Sequence, residues 1–497
     1  MNHVRTRFAP SPTGFLHIGG VRTAMYAFAL AKRHGGQFLL RVEDTDQTRF
    51  VEGAEDVIFS VLDQFGLTPD ESDRHGGDKG PYRQSDRLDI YKKYAEQLVE
   101  QGDAFYSFES KEELAEHRRV AEANKERFAY RSPYRDLPLE EAKKRIAAGD
   151  EYVIRQKMPA GQGIIFEDAL QGTMKFTTDD VDDGILLKSD GFPTYHLAVV
   201  VDDHLMEVSH VFRGVEWIPS IPKHVLLYKA FGWEMPVFAH LSLILDPGGG
   251  KLSKRKGAVA ADEFLKEGYL PQALLNFLML LGWSSPQERE HGESEREFFS
   301  MQDFVEQFDI SDLNKSSPVF NREKLLWFNQ QYLQQLSPDL FVRAFTDWVD
   351  HYGDDETFKQ QLVAAGPEKV QNMLVLEQTR VKTLAEIPAT LQFYFNEPGT
   401  VSFAEVKQLK NLTDEQVAGV YRDFLAELSR QESVSSWGHE AWEQSVRTIA
   451  ERHDVKAGSA FMALRIAVTG SPFSPPLFEV MEILQKDTIQ ERIQRYL

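Results

Sequence analysis

The 497-residue chain contains no cysteine. That absence excludes disulfides, a thiol nucleophile and any zinc site built on thiolates. Long apolar runs are also missing. The most apolar stretch, 273–283, is interrupted by Asn276 and falls far short of the ~20 residues a membrane helix needs. The first fourteen residues carry Pro10 and Pro12 and no apolar core, so they do not read as a secretory signal. A soluble, cytoplasmic protein without a membrane partner is the expectation. Positive charge is in short supply: 56 Lys and Arg face 77 Asp and Glu, a formal net charge of −21. Phosphate neutralisation dominates nucleic-acid binding, so any RNA-binding face must gather its cations against this average. No internal repeat or low-complexity tract stands out. What is present, 42% hydrophobic and 11% aromatic residues, excludes global disorder. The length suggests about three or four domains.

The first part of the chain alternates strand and helix signals. Residues 4–9 read as a strand, and the prolines of 10–14 force an irregular loop. The spacing of Val21, Met25, Phe28 and Ala29 predicts a helix over 18–33 with one apolar face, ended by Gly35 and Gly36. A strand at 38–42 and a helix at about 53–65 follow, which points to a parallel sheet with crossover helices. Residues from about 107 to 185 break the rhythm, with a charged helical stretch at 111–127 and short strands within 153–165 and 172–177. The α/β pattern is expected to resume near 184–187. A buried helix is predicted at 271–283 and an exposed loop at 287–297. Beyond Lys324 strand signals fade. Leu340, Phe341, Phe345 and Val349, and later Met481 and Leu484, recur at helical spacing and read as core of an all-helical module.

Two segments carry chemistry. Residues 7–14, RFAPSPTG, lead into His17-Ile18-Gly19-Gly20 at a strand–loop–helix junction, where free N–H groups and the helix dipole favour phosphate. His17 can donate to phosphate oxygens, Ser11 and Thr13 offer hydroxyls, and Gly19 leaves room for a nucleotide ring. The competing reading is that His17 and Gly19 only cap the helix. The second segment, GGGKLSKRKG at 248–257, joins three glycines to Lys251, Lys254, Arg255 and Lys256. Such a loop can close on a polyphosphate and neutralise a departing pyrophosphate; its bland alternative is a solvated basic turn.

Together the two segments resemble the paired HIGH and KMSKS signatures of class I aminoacyl-tRNA synthetases. RVEDTD at 41–46, GPYRQS at 80–85, LKSDGFPTYHLA at 187–198, VDDH at 201–204 and LRIAVTG at 464–470 narrow the resemblance to the bacterial-type glutamyl-tRNA synthetases, over essentially the whole chain. The resemblance implies glutamate–tRNA ligation: glutamate and ATP form glutamyl-adenylate, and the glutamyl group moves to the 3′-terminal adenosine of tRNA-Glu, with tRNA-Gln as a further candidate. It implies ATP as substrate, Mg²⁺ accompanying it, and a monomer. It also implies a Rossmann-like catalytic domain at 1–110 and 185–250, an acceptor-binding α+β insertion at 111–184, a stem-contact region at 251–325, and an all-α anticodon-binding module at 326–497. Glutaminyl-tRNA synthetases end in β-barrels, and enzymes that glutamylate a modified tRNA base lack the helical module, so both are the less fitting relatives. A binding-only paralogue would not need His17, Gly19, Lys251 and Lys254 together.

The resemblance assigns His17, Gly19, Lys251 and Lys254 to catalysis and His17, Gly19, Gly20 and Lys254 to ATP. Glutamate falls to Arg7, Ser11, Glu43, Tyr195 and Arg213. A planar guanidinium suits the substrate's side-chain carboxylate, and Glu43 suits its ammonium group unless a salt bridge to Arg41 claims it. Trp217 resembles a pocket-lining residue. Asp202 and Asp203 are adjacent and read as structural or tRNA-end residues rather than as metal ligands. His204 and His210 offer no zinc spacing. Some relatives bind zinc through cysteines in the insertion; this chain has none, so no zinc is expected. Two departures stand out: Val199 replaces a common Asn near the substrate carboxylate, and Val215 replaces an acidic residue. Arg118, Arg119, Arg380 and Arg465 are the expected tRNA contacts.

Overall fold

The computed structural model describes residues 3–123, 129–252, 259–286, 296–403 and 406–497. The chain divides into two compact units, Met1–Leu265 with Pro271–Arg322, and Lys266–Leu270 with Glu323–Leu497.

The first unit is organised by a four-stranded parallel sheet. Its strands are β1 (Arg5–Phe8), β2 (Gln37–Leu40), β8 (His210–Gly214) and β9 (Val237–Leu241), in the order β2-β1-β8-β9. Helix α1 (Ile18–Arg33) makes the crossover from β1 to β2. It spans the predicted residues, but it is not one-faced. Ala24, Tyr26, Ala27 and Ala31 are buried as well as Val21 and Met25, because the sheet covers one side while the helices Pro271–Leu280 and Met301–Gln307 cover others. The run of alanines permits that enclosure. At the exit of α1, Gly35 adopts φ +61°, and a Cβ on Gly36 would stand 1.9 Å from the Val4 carbonyl oxygen, so only glycine lets the chain turn into β2.

Helices α2 (Ala54–Gln64) and α3 (Leu88–Gln101) follow, then β3 (Ala104–Ser107), α4 (Lys111–Ala123) and α5 (Leu139–Ala147). Strands β4 (Val153–Gln156) and β7 (Ile185–Leu187) pair antiparallel with the β3 side to give the sheet β3-β4-β7, and β5 (Gly163–Asp168) with β6 (Gly172–Thr177) form a hairpin. Segment 184–187, expected to resume the parallel pattern, therefore belongs to the interrupting region. The cause is Asp183, which is fully buried, accepts backbone N–H from Ser132 and Met158 and lies 3.4 Å from Arg135, tying the chain to that region just before β7. The parallel pattern resumes after α6 (Tyr195–Leu205), with α7 (Ile221–Phe231) connecting β8 to β9. Helix α8 (Ala261–Lys266) and the buried α9 (Pro271–Leu280) follow. Most of the predicted loop at 287–297 lies outside the described residues.

The second unit is helical among its described residues. In Pro338–Tyr352, Phe341, Phe345 and Val349 are buried as the spacing predicts, but Leu340 is 54% exposed. Leu340 sits one position off the i, i+4, i+8 row that faces the core. No described helix is long and apolar enough to cross a membrane.

Candidate active site

In the parallel sheet the connection from β1 runs to β2 on one side, while β8 lies on the other. That reversal opens a crevice at the carboxyl ends of β1 and β8, the place where ligands bind in open α/β sheets. A cavity of about 920 Å³ occupies it. Arg7 and Phe8 at the end of β1, Phe212 and Arg213 at the end of β8, and Leu241 at the end of β9 form its floor.

One wall is the start of α1. His17 is the N-cap, and its Nδ1 accepts the Gly19 N–H at 3.0 Å. The capping role is therefore real, and His17 also lines the cavity together with Gly19 and Gly20. A Cβ on Gly19 would lie 3.2 Å from His17 Nδ1, so glycine keeps this edge of the cavity open. Val259 and Ala260 return to the same place: the Ile18 N–H donates to the Val259 carbonyl, and the Ala261 N–H donates to the Leu16 carbonyl. On the other side of the basic segment, Lys251 lines the cavity, with its Nζ 3.9 Å from Glu216. Lys254, Arg255 and Lys256 lie outside the described residues.

Two of the arginines lining the cavity, Arg7 and Arg213, have different surroundings. Arg7 donates from Nε and Nη2 to the two oxygens of Asp203, at 3.1 and 3.4 Å, and from Nη1 to the Phe212 carbonyl. Arg41, wholly buried, donates to Asp203 at 2.8 Å and to Glu43 Oε1 at 2.9 Å. Burial alone would raise the Asp203 pKa, but Arg7 and Arg41 bring it below the ordinary value. Burial raises that of Glu43 even though Arg41 opposes the shift. Asp202 holds the structural end of this cluster, accepting from Gln84, Arg87 and Tyr91 at 2.8–2.9 Å.

Arg213 is solvated by neutral groups instead. Its Nε donates to His240 Nε2 at 2.8 Å, and its Nη1 reaches Tyr195 Oη at 3.1 Å and His224 Nδ1 at 3.2 Å. Its Nη2 is buried and has no partner. No described carboxylate lies within ion-pair distance of it. Burial, with Arg213 adding to it, pushes His224 well below the usual imidazole pKa. A buried cation with an idle donor at the edge of a cavity is arranged to receive an anion.

Ser11, Glu43 and Tyr195 line the same cavity, as do Lys188 and Arg22. The Trp217 ring lies 4.3 Å from that of Tyr195 between centroids. Val199 is buried in the core rather than lining the cavity, and Val215 is half-buried beside it. Of the expected tRNA contacts, Arg119 is exposed and paired with Glu116, and Arg118 is on α4, its side chain outside the described ones. Arg380 and Arg465 converge on the carbonyl of Ser474, at 2.8 and 3.0 Å. The histidines around Arg213 and the supporting Asp168 were not marked by any sequence spacing. They come from α6, β5, α7 and β9, and only the fold brings them together.

Residues 3–327 match the family described as tRNA synthetases class I (E and Q), catalytic domain, and residues 340–497 match the anticodon binding domain family. The glutamate–tRNA ligase of Chloroherpeton thalassium is 42% identical over 500 residues, covering 99% of this chain and 97% of that protein. The chain belongs to the glutamate–tRNA ligases. A crystal structure of a glutamate–tRNA ligase from Elizabethkingia meningosepticum in complex with its amino acid matches with a TM-score of 0.85 at 37% identity, over 99% of both chains. The glutamate–tRNA synthetase of Elizabethkingia anophelis matches with a TM-score of 0.83, also at 37% identity and 99% coverage of both. Within this ligase family, the parallel sheet carries the class I catalytic domain and the helical C-terminal part the anticodon-binding domain.

Proposed function

We propose that the cavity at the ends of β1 and β8 is where glutamate is activated by ATP and then passed to tRNA-Glu. Membership of the glutamate–tRNA ligases supplies the overall reaction. The observation that carries the assignment to this cavity is Arg213, a buried guanidinium with an unpartnered Nη2 and, among the described residues, no carboxylate within ion-pair distance. The substrate's side-chain carboxylate binds there, with the Tyr195 phenol beside it. Arg7, already engaged by Asp203, adds positive potential from the next strand. The salt bridge to Arg41 that competes for Glu43 is formed through Oε1; in this reading the Glu43 carboxylate, in its charged form, faces the ammonium group as well, and Ser11 borders the same space.

An α-carboxylate oxygen of glutamate attacks the α-phosphorus of ATP, and the bond to pyrophosphate breaks. No protein nucleophile takes part, so the work is positioning and charge stabilisation. The start of α1, with His17, Gly19 and Gly20, receives the nucleotide, and Lys251 and Lys254 offset charge on the departing pyrophosphate. Mg²⁺ enters as part of the nucleotide substrate. Among the described residues no group of three or more His, Cys, Asp or Glu is gathered to hold a metal. In the second step the adenosine hydroxyl of tRNA attacks the glutamyl carbonyl and AMP leaves.

In the same reading, residues 111–184 with Arg118 and Arg119 take the acceptor end, 251–325 meets the stem, and 326–497 reads the anticodon through Arg380 and Arg465. The test is aminoacylation of purified tRNA-Glu and tRNA-Gln with labelled glutamate and glutamine. Arg213→Ala is expected to raise the KM for glutamate far more than that for ATP. An equal loss for both substrates would move the carboxylate elsewhere.

A further inference from the structure

Arg213 on β8 stands directly opposite His240 on β9 in the parallel register. Its Nε–H donates to His240 Nε2 at 2.8 Å. A guanidinium only donates, so Nε2 must carry the lone pair and Nδ1 the proton. On that other side, His240 Nδ1 meets Asp168 Oδ2. Asp168, at the end of β5, is itself fixed: its Oδ1 accepts the backbone N–H groups of Leu170, Gln171 and His240 at 2.8–3.2 Å. Both side chains are fully buried. Burial lowers the His240 pKa, in keeping with a neutral ring.

We propose that Asp168 is a positioning and specificity residue for glutamate: by holding His240 in its Nδ1–H form, it makes the ring an acceptor for Arg213 and so fixes the guanidinium of a residue that lines the cavity. This rests on Arg213 binding the substrate's side-chain carboxylate. The consequence is chemical as well as geometric. A carboxylate bonded straight to Arg213 would cancel its charge. Placed one imidazole away, Asp168 orients the guanidinium and leaves its charge for the ligand, so a carboxylate is favoured over the uncharged amide of glutamine. His224 serves the same purpose from α7. Its Nδ1 accepts from Arg213, so its Nε2–H faces His196 Nδ1 at 3.1 Å.

The substitution Asp168→Asn tests this with almost no change of shape. The three backbone donors keep the amide oxygen where Oδ1 was, so the amide nitrogen faces His240 and donates. His240 must then accept at Nδ1 and carry its proton on Nε2, against the Arg213 N–H. In aminoacylation of tRNA-Glu by the full chain, the KM for glutamate is expected to rise ~10–100-fold, the scale of losing a hydrogen bond to a charged group, while the KM for ATP moves less than threefold. Partial unfolding would lower the rate per mole of chain without this split. His240→Gln, which can still present an oxygen to Arg213, should retain a glutamate KM below that of His240→Leu. A purely packing role, against Phe166 and Phe238, would reverse that order. If Arg213→Ala raises the glutamate KM and Asp168→Asn does not, the carboxylate site stands and the role of Asp168 falls. If Arg213→Ala leaves it unchanged, the carboxylate site falls, and this proposal with it.

Discussion

Arg7 and Asp203, 196 residues apart, form a two-pronged buried ion pair at 3.1 and 3.4 Å, and Arg41 closes on the same carboxylate at 2.8 Å. One anion thus holds two cations beneath the cavity. Asp203→Ala would leave buried Arg7 without its carboxylate partner and Arg41 with only Glu43 and the more distant Asp202. Removing one partner of a buried pair costs about 3–5 kcal/mol, so the melting temperature of this variant should drop sharply. A shift within a degree of wild type would mean water or a neighbour takes over the role.

Stability should decline as pH falls toward the value set by His196. Burial, with Lys223 adding to it, pushes this imidazole down from 6.5 to about 4. Asp182 opposes the shift, Arg213 reinforces it, and His224 and Tyr195 pack against the ring. The unfolded chain takes up its proton near pH 6.5 and the folded protein only near pH 4. Between these values the unfolded state holds more protons, so each step down in pH favours unfolding. Thermal melts from pH 7 to pH 4 should show a steeper fall for wild type than for His196→Gln. Parallel curves would remove His196 from the acid sensitivity.

Lys254→Ala should slow glutamyl-adenylate formation ~10²–10³-fold, the usual cost of losing one preorganised charge contact in a transition state. Lys251→Ala should cost less, because its ammonium is largely exposed and shared with Glu216. Glutamate-dependent pyrophosphate exchange in the presence of tRNA measures both, and near-normal exchange in Lys254→Ala would take the basic segment out of the reaction.

Arg380→Ala should raise the KM for tRNA about tenfold with little change in that for glutamate, since Arg380 keeps part of its guanidinium exposed next to Glu377. Arg465 is committed to the carbonyls of Ser474 and Pro475, so Arg465→Ala should lower the melting temperature as well. Phe473 in the same turn is 82% exposed; its replacement by Ala should weaken tRNA binding without a thermal penalty. Unchanged tRNA kinetics in all three variants would move recognition off this turn.

The helix over 18–33 and the first strands are legible because apolar spacing and the glycine pair mark span and end, although the helix is enclosed on more sides than the spacing shows. The allegiance of 185–187 is not, because three apolar residues carry no information about which sheet receives them; the buried carboxylate of Asp183 decides it. Leu340 shows the same limit within a helix, where a periodic stripe does not fix its own margins. In the site, Arg7, Glu43, Tyr195 and Arg213 were legible as motif residues, and they line one cavity. What surrounds them was not. Asp203 could be seen as half of an acidic pair, but its partners, Arg7 and Arg41, lie on β1 and just past the end of β2. Asp168, His224 and His240 come from three elements, and nothing short of the strand register announces that they meet.

That register has a further consequence. Arg213 faces His240 because β8 and β9 pair His210 with Val237 and keep step from there. Sliding β9 by one residue would put Ala239 or Leu241 opposite the guanidinium and send the imidazole to the far face of the sheet. In the proposed site, the hydrogen-bond ladder of two strands is therefore part of the amino-acid filter. A single-residue insertion or deletion in the α7–β9 connection that shifted that ladder would abolish the preference for an acidic substrate while sparing the nucleotide end.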